Sequence, residues 1–117
     1  MRIWIVILLI SALGAQTAAP DGKSTNAPSP NRKNGESIFV SYGFYQCHGY
    51  AAQGGAGPRL GPKPIAFGAF LKYLRHPTGD MPPYTAKVVS DPEVSDIYAF
   101  LESMPAPPLA KDIELLK

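Results

Sequence analysis

The sequence predicts an all-α fold, with three to four short helices and long Gly/Pro loops wrapped around one large apolar ligand. Three observations point to it. Apolar residues recur at helical spacing in three separate segments. Between them lie stretches so rich in glycine and proline that neither a helix nor a long strand fits. The chain of 117 residues also contains a single cysteine, so no internal disulfide can staple it. Loops longer than roughly 12 residues are unusual in a compact domain unless they serve a function or wrap something. A domain this small with so little helix generally needs a disulfide, a metal or another bound group at its centre.

The elements follow in chain order. Arg2 precedes the apolar run Ile3 to Ile10, and small residues lead from there to Pro20. This is the pattern of a secretory signal peptide, assigned to residues 1–19, and it implies an exported, periplasmic protein. The run is shorter than the roughly 20 residues that span a bilayer; an uncleaved membrane anchor is the alternative. Residues 20–33, rich in Pro, Ser and Asn, read as a flexible leader. The folded domain is expected over residues 34–104, followed by a tail over 105–117.

In the first helix, Gly35 to Tyr42, the residues Ile38, Phe39 and Tyr42 share a face, with Asn34 as N-cap and Gly43 as stop. The stretch "GYAAQGGAGPRLGPKP", residues 49–64, reads as an irregular loop. Phe67, Phe70, Leu71 and Leu74 fall at i, i+3, i+4 and i+7, and Pro77 ends that helix. After a second Pro-rich loop, Ser90 and Glu93 form a capping box with Pro92 in the first turn. Val94, Ile97, Tyr98 and Leu101 then make a stripe that ends before Pro105. The last residues are too few for an independent helix in water.

The formal net charge is +2, with Lys and Arg dispersed along the chain, a poor footprint for nucleic acid. A structural zinc site needs a cluster of Cys and His that this chain does not have. Once the signal is removed, only Cys47, His48, His76, Met81 and Met104 remain as soft or imidazole ligands.

Two of these are adjacent in "FYQCHGY", residues 44–50. Cys-His usually completes C-x-x-C-H, the attachment site of a c-type haem, but here Phe44 stands where the first cysteine would be. Cys47 can add its sulfur across a haem vinyl group, and His48 can then bring its imidazole to the iron. A second ligand has to come from far along the chain. Met81 suits this role, in the loop "GDMPPY" whose prolines restrict the backbone; His/Met ligation gives low-spin iron with no open site. The plainer alternatives are a free or buried thiol for Cys47, core filling for Met81, and His76 as the distal ligand or as a helix C-cap. Arg59 can pair bidentately with a haem propionate or stand as a solvated arginine. Lys63, Lys72, Arg75 and Lys87 could ring the haem edge and steer an acidic partner, or simply solubilise the surface.

The chain resembles the bacterial class I cytochromes c, small exported electron carriers, over about residues 34 to 104. Its segments occur in family order: "NGESIFVSYG", "QCHG", "GPRL", "FGAFLKYLRHP", "DMPPY" and "VSDIYAFLESM". The resemblance implies a cytochrome c-like fold around one haem c, with His48 and Met81 as axial ligands and Cys47 as the covalent anchor. It also implies that the Pro58 carbonyl accepts a bond from the other nitrogen of His48, which fixes the ring. Arg59 and Leu60 follow in the haem-lining loop, and Gly35 and Phe39 meet Phe100 where the first and last helices cross. The departure is Phe44. It leaves a single thioether, as in some mitochondrial members, with the phenylalanine ring expected to cover the haem near the unreacted vinyl group.

The function these readings imply is a monomeric, monohaem carrier of single electrons, not itself an enzyme. Its expected partners are redox proteins, a dehydrogenase or a terminal oxidase, and it has no membrane span once the signal is cleaved. The alternatives are a degenerate module with weakly bound or no haem, and the haem subunit of a periplasmic dehydrogenase complex.

Overall fold

Asn31 opens the first helix. Its side-chain oxygen accepts from the backbone N–H groups of Lys33 at 3.1 Å and Asn34 at 3.2 Å, satisfying two of the donors a helix start leaves free. The computed structural model describes residues 29–117; the expected signal over 1–19 and most of the leader over 20–33 lie outside them. Four α-helices follow in the described residues: α1 (Arg32–Ser41), α2 (Phe44–His48), α3 (Phe67–Arg75) and α4 (Asp91–Glu102). No strand occurs among these residues, so the all-α class holds.

The first helix therefore starts three residues earlier than its sequence indicates, with Asn31 and not Asn34 as the cap. Asn34 has a different partner. Its Nδ2 donates to Asp96 Oδ2 at 2.7 Å, and Asp96 Oδ1 accepts from the Asn31 N–H at 2.6 Å. One carboxylate on α4 thus ties down the first turn of α1. A Cβ on Gly35 would collide with the backbone carbonyl of Asp96, so the two helices cross in backbone contact. One turn on, Phe39 is fully buried and meets Phe100 at 5.3 Å between ring centroids, as the resemblance implied.

Gly43, at φ +79°, stops α1 in a left-handed conformation that favours glycine. The helix α2 begins at the next residue. Gly49, at φ +78°, ends it and turns the chain into the long loop. That loop folds back on α2: Gly54 N–H donates to the His48 carbonyl and Gly57 N–H to the Cys47 carbonyl, each at 2.8 Å. Farther along, the amides of Leu60 and Gly61 both reach the carbonyl of buried Ala52.

The third helix buries Phe70 and Leu74 and ends before Pro77. Phe67 and Phe70 meet Tyr98 of α4 edge-on at 5.2 and 5.6 Å. In α4 the carboxylate of Glu93 accepts from the Ser90 N–H at 2.7 Å and hydroxyl at 2.8 Å, closing the capping box. Val94, Ile97, Phe100 and Leu101 form its buried face. The tail makes two single 3₁₀ turns, at Ala110–Asp112 and Glu114–Leu116, and buries no residue in them.

Candidate functional site

The helices do not close on one another completely. Between them lies a cavity of about 1070 Å³, above the roughly 300–1,000 Å³ of ordinary small-ligand pockets. Its apolar wall includes Phe39 of α1, Phe70 and Leu74 of α3, Ile97 of α4, and Leu60 and Ile65 of the long loop. Into the same cavity the chain places Phe44, Cys47, His48, Pro58, Arg59, Leu60 and Met81, the residues that the resemblance assigns to the haem.

The imidazole is the informative group. At 6 % exposure His48 is the only buried polar side chain among the described residues. Its Nδ1 lies 2.8 Å from the carbonyl oxygen of Pro58. A carbonyl can only accept, so Nδ1 carries the proton and Nε2 keeps a bare lone pair. Metal-binding histidines are commonly oriented by such a bond on the ring nitrogen that does not ligate. Gly57 makes the bond possible, because a Cβ there would stand 2.7 Å from His48 Cε1 and 2.9 Å from Nδ1. Cys47, one residue earlier, is exposed. Met81, half-buried, packs its thioether side chain against the core cluster.

Phe44 has two sets of neighbours. It contributes to the cavity wall, and its ring is stacked between Phe39, at 5.7 Å and 16°, and Tyr84, at 4.3 Å and 24°. Only 5 % of it is exposed. The Phe44–Tyr84 stack escapes sequence reasoning, since 40 positions separate the two rings. Burial, and secondarily the nearby Cys47, push the Tyr84 phenol above its ordinary range.

Other candidates separate. His76 is exposed and does not line the cavity. Of the four cations considered for the cavity edge, Lys63 lines it, and Lys72, Arg75 and Lys87 do not. Arg75 is committed elsewhere: Nη1 donates to the Tyr84 carbonyl at 2.8 Å and Nη2 pairs with Asp91. Tyr73 and Thr78 hydrogen-bond through their hydroxyls at 3.0 Å, and both line the cavity.

The residues suit a haem. The cavity is large and mainly apolar, it holds an oriented imidazole with a free nitrogen, and it brings a thioether and a thiol to the same space. Helices crossing beside such a cavity suit one class, the cytochrome c domain, a haem-binding electron carrier. Residues 30–101 match the family model described as cytochrome c oxidase, cbb3-type, subunit III, and the chain belongs to that family. No curated protein and no solved structure matches the chain. No helix of the described residues is long and apolar enough to cross a membrane.

Proposed function

We propose that the chain is an exported, monohaem c-type cytochrome that carries single electrons between periplasmic redox partners. When bound, the haem supplies an iron that changes oxidation state by one electron without opening a site for substrate. His48 Nε2 and Met81 Sδ would hold the iron. Cys47 would be the single covalent anchor, its thiol supplying one thioether to a vinyl group of the haem. Phe44 closes the wall where a second cysteine would have bonded. The hydrogen bond between His48 Nδ1 and the Pro58 carbonyl carries this reading, because it leaves the opposite nitrogen bare in an apolar cavity. Arg59 and Lys63, both lining the cavity, suit the propionates as cationic partners.

The family description names an oxidase subunit, which favours a second reading for the partner: the domain serves as a haem-bearing subunit of a terminal oxidase, not as a free shuttle. Co-purification with an oxidase under native conditions supports the subunit. A protein isolated as a monomer supports the shuttle.

Spectroscopy tests the ligand set. Met81→Ala should abolish the sulfur-to-iron charge-transfer band and lower the reduction potential, and His76→Ala should leave both in place. Loss of the low-spin spectrum in His76→Ala would sink the assignment of Met81. The pyridine-haem spectrum should fall between those of haems with two thioethers and with none. Complete extraction of haem by acid-acetone would exclude the Cys47 bond.

A further inference from the structure

We propose that Tyr84 is the positioning residue for Met81 and that Phe44 forms the seat on which it rests. The inference builds on the reading of Met81 as an axial ligand. Pro82 and Pro83 follow Met81 and supply no N–H, so the first backbone donor after the thioether is that of Tyr84. That N–H donates to the Leu74 carbonyl at 3.0 Å. The Tyr84 carbonyl accepts from Arg75 Nη1 at 2.8 Å, and Arg75 is itself braced by Asp91. The backbone of Tyr84 is therefore tied to the end of α3 through both its polar groups.

The ring of Tyr84 makes a third attachment. It stacks on Phe44 at 4.3 Å, and its hydroxyl donates to the Tyr42 carbonyl at 3.1 Å. The two prolines have restricted φ angles, so they transmit the position of Tyr84 to Met81 with little slack. A cysteine at position 44 would offer no ring for this stack. The residue that removes one covalent anchor thus supplies an aromatic seat for the strap bearing the distal ligand.

Imidazole binding to the ferric, haem-loaded full chain reads the strap directly. Imidazole reaches the iron only when Met81 has left it, so its apparent affinity scales with the open fraction. Phe44→Leu and Tyr84→Leu should each raise that affinity about two- to tenfold, the range an aromatic pair is worth, and weaken the charge-transfer band. Tyr84→Phe keeps the stack and should return most of the way to the parent. The double variant Phe44→Leu/Tyr84→Leu should be less than additive, since both changes remove one contact.

A merely structural role would lower the melting temperature and leave the imidazole affinity and the band unchanged, which overturns the proposal. Met81→Ala separates the two levels. If it changes imidazole binding and the ring variants do not, only the positioning role fails; if it changes nothing, the axial reading fails and takes this inference with it. A measurement on the parent covers variants that do not fold. Saturating imidazole should speed amide exchange at Tyr84 and spare the α1–α4 crossing, and unchanged exchange at Tyr84 overturns the proposal.

Discussion

Gly57 and Tyr84 show how single residues hold the cavity in shape. The histidine ring and the backbone of Gly57 approach so closely that a methyl group cannot be accommodated. Gly57→Ala should push the His48 ring off the Pro58 carbonyl and destabilise the haem-loaded protein by about 1–3 kcal/mol, in the range for overpacking; guanidinium unfolding followed at the haem band measures it. Tyr84 adds a pH dependence. Its phenol is held above the ordinary range chiefly by burial, so the folded state keeps its proton at a pH where the unfolded chain has begun to release it. This contribution is complete below the unfolded value of about 10 and is lost as the pH rises through the higher folded value. Stability should therefore fall in the alkaline range more steeply in the parent than in Tyr84→Phe. Equal slopes in urea titrations would show that the phenol does not contribute.

Among the elements, α1 and α4 are held to each other by direct contacts of their own. Their crossing joins Phe39 to Phe100, presses Gly35 on the Asp96 backbone and ties two groups of α1 to one carboxylate. Asp96→Ala removes the acceptor for both Asn31 and Asn34 and should cost about 1–2 kcal/mol, near the lower end for hydrogen bonds to a charged group because the site is exposed. Gly35→Ala should cost more, because the colliding atom is backbone and cannot swing aside. Chemical denaturation of both variants orders them, and the opposite order would mean that the helices slide apart at little cost. The asparagine that caps α1 could not be read from the local pattern. Asn31 and Asn34 are both good caps, and what separates them is Asp96, which lies far along the chain and takes the Asn34 side chain.

For the molecule as a whole, the cavity and the core share walls. Phe39, Phe44, Phe70, Leu74 and Ile97 belong to the buried cluster and also line the cavity, so the ligand completes the core. The haem-free chain should consequently lose its cooperative thermal transition, because short helices around an unfilled cavity bury too little surface. Calorimetry and circular dichroism of haem-free protein check this. A sharp transition with full helix content would mean that the α1–α4 crossing suffices to hold the fold.

The all-α class, the extents of α3 and α4 and the identity of the candidate ligands were legible in the sequence, because each rests on short-range chemistry. Helical spacing, the Ser90–Glu93 box, the prolines at 77 and 105 and the Cys47-His48 dipeptide all act within a few residues of themselves. Helix α2 gives no such indication, because with five residues it is too short for a periodic signal. The gathering of Cys47, His48 and Met81 around one space follows from chain closure, as do the Phe39–Phe44–Tyr84 stack and the commitment of Arg75 to Tyr84 and Asp91. Apart from Phe39–Phe44, those contacts join positions 9 to 40 residues apart, and local preferences carry no information about which distant side chains will meet. The sequence indicated which groups are able to bind a haem. Packing of α1 on α4, with the Pro-stiffened strap drawn over the cavity, decided that they share one site.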